Sequence, residues 1–184
     1  PQVELAKLLT SILPNSLQQI YFTNSGTEAV EGAMKLAKRY TGRHEIISFH
    51  NAYHGSTQGA LSLIGDEYWR NQFRPLLPGI KRLNYNHLED LSLITNQTAA
   101  VFIDPVQAES GVTVPSHNYM KSLRDRCNET GTLLVLDEIQ TGCGRTGSMF
   151  AFEDLDLVPD ILLLAKGFGG GMPLGAFISS SKIM

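Results

Sequence analysis

"HNYMKSLRDRCNETGTLLVLDE", residues 117–138, decides the fold. Its first part predicts a helix over 117–129, and after Thr130 and Gly131 the run TLLVLDE predicts a strand that ends on Asp137. The same succession recurs on both sides. Upstream, VELAKLLTSIL has helix spacing, IYFTN reads as a short strand, and TEAVEGAMKLAKRY reads as an amphipathic helix with Val30, Ala33, Met34 and Ala37 on one face. EIISFH is a strand again and STQGALSLIG a helix, while residues 65–78, with Trp69 and two prolines, read as an irregular connection. A strand near 81–85, a short helix over HLEDLSLI and the strand AAVFID lead into the opening stretch; DILLLA and LGAFISS follow it as strands. Short apolar strands between amphipathic helices predict an α/β domain, a mostly parallel sheet flanked by helices. Such sheets bind ligands at the carboxyl ends of their strands.

Composition sets the class. The 184 residues are 42% hydrophobic and only 18% charged, below the usual quarter, which points to a surface partly covered by an oligomeric partner. A net charge of -3 without a basic run favours neither nucleic acid nor an anionic membrane. No apolar run is long enough to span a bilayer. Cys127 and Cys143 form no CxxC pair, so a reducing, cytoplasmic setting is expected rather than a disulfide framework. Opening on Pro1 and stopping at Met184, just past a strand, the chain reads as a piece of something larger.

Three motifs stand at strand exits. NSGTEA places Ser25 and Glu28 at capping-box spacing, with Gly26 allowing close backbone approach; it is a capped helix start or, using the free N–H groups and the dipole, a phosphate seat. LLVLDEIQTGCGRTG puts the Asp137 carboxylate on an apolar strand, where it needs a cation or donors. Its Gly142, Gly144 and Gly147 formally match GxGxxG, but the spacing from the strand and the absence of a following amphipathic helix speak against a nicotinamide site. DILLLAKGFGGGM carries Lys166 into a glycine run. Lys166 is either an ordinary lysine with its head in water or an amine partly desolvated at the sheet edge and able to attack a carbonyl, with the glycines leaving space and adopting positive φ.

Phosphate seat, buried carboxylate and amine together are what pyridoxal phosphate requires: lysine for the aldehyde, a helix start for the phosphate, and an anion to keep the pyridine nitrogen protonated.

YFTNSGTEAVEGAMKLAKRY, YHGSTQGALS, FIDPVQAESG, LLVLDEIQTGCGRTG and DILLLAKGFGGGMPLGA, in this order, resemble the class III pyridoxal-phosphate aminotransferases of fold type I, the group of acetylornithine, ornithine and 4-aminobutyrate aminotransferases. The resemblance implies that residues 1–184 are the central part of the cofactor-binding large domain, without the N-terminal segment and the C-terminal small domain. It implies a Schiff base on Lys166, Asp137 on the pyridine nitrogen, Gln140 on the ring hydroxyl, and Ser25, Gly26 and Thr27 around the phosphate. Tyr53 would stack on one ring face and Ile139 on the other, although an aromatic at position 53 also suits a core. His54 becomes a cofactor neighbour or a plain hydrogen-bonding residue; His50 and His54, with no acidic ligand beside them in sequence, predict no metal site. Glu109 resembles the family's gating glutamate.

Two positions depart from the family's pattern. Ser56 stands where many members carry an arginine that grips a substrate carboxylate, so the amino donor stays open. DPVQAE replaces EPVQGE, making Asp104 a methylene shorter and Ala108 a former glycine. The implied activity moves an amino group from an amine or amino acid to a 2-oxo acid such as 2-oxoglutarate, in a homodimer. An aminomutase, racemase or decarboxylase built on the same lysine and aspartate, or a catalytically incomplete piece acting only in folding or dimerisation, are the alternatives.

Overall fold

The computed structural model describes all 184 residues. Seven strands form one sheet: β1 (Gln19–Thr23), β2 (Glu45–Phe49), β3 (Ile80–Leu83), β4 (Thr98–Ile103), β5 (Leu133–Asp137), β6 (Ile161–Leu164) and β7 (Gly175–Ser179). Their spatial order is β1-β7-β6-β5-β4-β2-β3. Strands β3, β2, β4, β5 and β6 are mutually parallel, and β7 runs antiparallel to both β6 and β1. The antiparallel insertion has a simple cause. Residues 165–174 between β6 and β7 hold only a 3-10 turn, Lys166–Gly169, too little chain for the helical crossover that a parallel return needs.

Helices α1 (Gln2–Ile12), α2 (Gly26–Thr41), α3 (Gln58–Leu63), α4 (Glu67–Arg70) and α5 (His117–Thr130) complete the chain. No helix is long and apolar enough to cross a membrane. The sheet is buried on both faces, and successive residues of its central strands alternate between two cores. Ala100, Phe102, Leu133, Val135, Ile161 and Leu163 join Val30, Ala33, Met34 and Ala37 of α2. Val101, Ile103, Leu134, Leu136, Leu162 and Leu164 join Tyr119, Met120, Leu123 and Cys127 of α5. The period of two in the strands meets the period near four in the helices, giving a three-layer sandwich.

Sequence and structure differ at the short elements. Residues 87–94 hold a 3-10 turn, Glu89–Leu93, in place of a short helix, and the helix expected over 56–65 shrinks to the six residues of α3. The irregular connection over 65–78 contains α4 and a second 3-10 turn, Asn71–Phe73. After the GxGxxG glycines the chain forms turns and one 3-10 turn, Ala151–Glu153, and not the α-helix that a nicotinamide site requires.

Candidate active site

The carboxyl ends of β1, β2, β4, β5 and β6 face one cavity of about 380 Å³, and because β7 is reversed, its approach (Met172, Pro173, Leu174) reaches the same edge. This volume is within the range of small-molecule sites. Ser25, Gly26, Thr27, Tyr53, His54, Asp137, Ile139, Gln140 and Lys166 all line it, with Asp104 added.

At the β1 exit the helix start is capped by Ser25, and Glu28 reaches back one residue past the N-cap. Ser25 Oγ accepts from the Glu28 amide at 3.3 Å and Glu28 Oε2 accepts from the Asn24 amide at 2.7 Å. The amides of Gly26 and Thr27 are left at the helix mouth with no carbonyl behind them to bond. A Cβ on Gly26 would lie 2.8 Å from Ile139 Cδ1, so the Ile139 side chain would have to move to admit one. From α2, Glu31 Oε1 accepts from the amides of Gly59 and Ala60 and from Thr57 Oγ1, which ties the start of α3 to the start of α2.

Asp137 ends β5 and is 3% exposed. Its Oδ2 meets His54 Nδ1 at 2.7 Å and its Oδ1 accepts from the Ile139 amide at 3.1 Å. His54 is buried, and its second nitrogen, Nε2, lies 3.9 Å from Asp104 Oδ2; neither of these two atoms has a hydrogen-bond partner. Burial by itself pulls the His54 pKa down, but Asp104 and the bond to Asp137 outweigh it and raise the value above 6.5. Burial pushes the Asp104 carboxyl up, Asp137 adds to the push, and His54 and Lys166 oppose it, leaving a pKa of about 7. The expectation that His54 has no acidic neighbour is therefore corrected: strand order places two carboxylates against it that sequence separation concealed. The three donor groups lie within 4.8 Å of one another, and the direct His54–Asp137 bond engages one atom of each of those two residues.

Lys166 follows β6 and takes a left-handed backbone, φ 50°, itself, as do Gly170 and Gly171 beyond it. Asp137 is in register with Leu163, three residues before Lys166 on the adjacent strand. Lys166 is exposed and lines the cavity at the end of β6. Gln140 is also exposed and, with Lys166, forms the border to a second cavity of about 610 Å³ edged by Cys143 and Arg145. Tyr53 is 38% exposed, which removes it from the core.

Glu109 is not brought to this cavity. It is exposed and lines an adjoining crevice of about 280 Å³ that shares Tyr53 and holds Asp66 and Trp69. Two residues escaped the sequence reading. Asp104 carries the signal used for Asp137, an acid closing an apolar strand. Glu138 carries none: 1% exposed, it accepts from Thr141 Oγ1 at 2.9 Å and from the amides of Ala151 and Phe152 at 2.9 and 2.8 Å, which folds the loop after β5.

The family model for class III aminotransferases matches residues 1–184. The chain belongs to this family. Among curated class III relatives, it is 45% identical over 184 residues to the acetylornithine aminotransferase of Methanopyrus kandleri, covering all of this chain and 47% of the relative. It is 46% identical over 171 residues to the LysW-aminoadipate semialdehyde/glutamate semialdehyde transaminase of Sulfolobus acidocaldarius, covering 93% of this chain and 44% of that one. Among solved structures, an amine transaminase from an uncultivated Pseudomonas species, in its PLP-bound form, superposes with a TM-score of 0.92 at 33% identity over all of this chain and 48% of its own. The class III fold is thus shared, and the chain spans about half the length of the relatives it matches.

Proposed function

We propose that this chain is the central part, residues 1–184, of the cofactor-binding large domain of a pyridoxal-phosphate-dependent aminotransferase, one that moves an amino group from an amine or amino acid to a 2-oxo acid such as 2-oxoglutarate. The observation that carries the reading is the convergence of a lysine, a buried aspartate and an open helix start on one cavity at the carboxyl edge of one sheet.

The residues fit the cofactor. The unbonded amides of Gly26 and Thr27 and the positive end of α2 suit a phosphate, with Ser25 beside them. Asp137, held from two sides by His54 and the Ile139 amide, suits a protonated pyridine nitrogen. Tyr53 and Ile139 offer the two flanking surfaces and Gln140 an amide for the ring hydroxyl. Pyridoxal phosphate supplies, when bound, an aldehyde that takes up an amino group and a ring that accepts electrons. Lys166 offers the amine that anchors the aldehyde and, once released, a base to carry a proton between donor and cofactor. The second cavity beside Lys166 gives room for the substrate.

Exposed large apolar side chains, Met172 of the cavity lining at 72%, Val112 of the second cavity at 66% and Val114 at 62%, support a homodimer that covers them. Two unpaired cysteines support a cytoplasmic setting. The crevice that Glu109 shares with Tyr53 supports a role for it beside the cofactor site rather than inside it.

The test uses the full-length protein. Loaded with pyridoxal phosphate it shows a visible absorption band and makes glutamate from 2-oxoglutarate and an amino donor; Lys166→Ala loses both. A variant that keeps band and turnover overturns the assignment, and glutamate formation separates a transaminase from a racemase, an aminomutase or a decarboxylase.

A further inference from the structure

His54 sits between two carboxylates, and its protons can be counted. Nδ1 lies 2.7 Å from Asp137 Oδ2, so it donates to that oxygen when Asp137 is ionised. A neutral imidazole then presents a lone pair at Nε2, toward Asp104 Oδ2 at 3.9 Å. Both atoms are buried and neither has another partner. Two lone pairs facing each other away from water are costly, and one proton between them turns repulsion into attraction across 3.9 Å, by charge rather than by a hydrogen bond. Whether it resides on His54 or on Asp104, the Nδ1 proton stays directed at Asp137.

The surroundings favour this arrangement. Tyr85 Oη donates to the carbonyls of Asp104 at 2.9 Å and Pro105 at 3.2 Å, which pins the backbone while leaving the Asp104 carboxylate free. Phe102 meets the His54 ring edge-on at 6.2 Å and offers it no proton acceptor. The charged groups facing the pair are Asp137 from β5 and Lys166 from the turn after β6. Burial raises the Asp104 pKa and the two carboxylates raise that of His54, so the single proton for which they compete is held by the pair.

We propose that Asp104 is a positioning residue that acts through His54, holding the outer ring nitrogen so that the inner N–H fixes Asp137 as an oriented anion. The proposal rests on the reading of Asp137 as the partner of the cofactor's pyridine nitrogen.

The experiment follows the His54 imidazole by 15N NMR in full-length protein free of cofactor, and measures pyridoxal phosphate affinity in the same preparations. In Asp104→Asn the His54 titration midpoint falls by about one pH unit or more, and the dissociation constant for pyridoxal phosphate rises about tenfold, the equivalent of one such unit. Asp104→Glu, whose added methylene closes the 3.9 Å gap, restores both values and raises the His54 midpoint above that of the native protein. A His54 midpoint and an affinity unchanged in Asp104→Asn overturn the proposal; if that variant does not fold, an Asp104→Glu midpoint at or below the native one does so. Failure of the underlying reading is told apart by Asp137→Asn loaded with pyridoxal phosphate: if its amino-transfer half-reaction runs at the native rate, the reading of Asp137 as partner of the pyridine nitrogen fails and takes the proposal with it, whatever His54 shows.

Discussion

Replacing Glu138 tests whether the loop that carries Ile139 and Gln140 is held by a single buried carboxylate. Three donors converge on it: Thr141 Oγ1, the Ala151 amide and the Phe152 amide, from residues that are themselves 4% exposed. Glu138→Ala leaves all three donors buried without an acceptor, at about 1–3 kcal/mol each. Part of this is offset, because burial already raises the Glu138 pKa and its charge is costly to hold. The expected net loss is about 3–5 kcal/mol, at the upper end of single-residue effects. Glu138→Gln keeps one oxygen, enough for the Ala151 amide and the Thr141 hydroxyl, and sets its NH2 against the Phe152 amide; one bond is lost, about 1–2 kcal/mol. Urea unfolding of the full-length protein reads the difference. At an m-value of about 2 kcal/mol/M the alanine variant loses about 1.5–2.5 M in midpoint at unchanged slope. A Glu138→Ala midpoint within about 0.5 M of native, or a glutamine variant less stable than the alanine one, would refute the idea that these three hydrogen bonds hold the loop.

Asp137→Asn keeps the acceptor for the Ile139 amide but removes the charge; the amino-transfer half-reaction slows about tenfold to a thousandfold at pH 7, measured by stopped-flow absorbance, and an unchanged rate refutes the need for an anion. Gly26→Ala puts a Cβ 2.8 Å from Ile139 Cδ1; overpacking of about 1–3 kcal/mol displaces Ile139 and weakens pyridoxal phosphate binding about fivefold or more in a spectrophotometric titration, whereas native affinity shows that the close approach is dispensable. Stability falls as pH rises. Asp104 and His54 both bind protons more tightly in the folded chain than their ordinary values of 3.8 and 6.5. Their contribution is therefore complete below those ordinary values and is lost on rising through the folded ones, about 7 for Asp104. Between pH 5 and 8 the unfolding free energy declines by at most about 1.4 kcal/mol per pH unit for the one proton that the pair shares. Asp104→Asn flattens the decline, and urea unfolding across that range showing equal slopes in both proteins contradicts the account.

Much of the site could be read before any coordinates. An apolar run ended by an acid marked Asp137, a serine three residues before a glutamate marked the α2 start, and a glycine run marked Lys166. The same reasoning applied to AAVFID would have placed Asp104 in the site, since β4 ends in the same way as β5. Glu138 was hidden because its neighbour Asp137 accounted for the acidic pair, while its three partners are supplied by a loop without periodicity. Whether the head of Lys166 meets water stayed open, because strand-end position says nothing of what covers a side chain.

The alternation of helix and strand, the strand exits and the reactive residue types follow from the chain alone, because periodicity and capping are set by neighbours within a few positions. The reversal of β7, the contact of His54 with Asp137 across 83 residues, and the exclusion of Glu109 from the cavity belong to the tertiary structure. They depend on strand order and on packing between segments remote in sequence, where no local pattern records which side chains will meet.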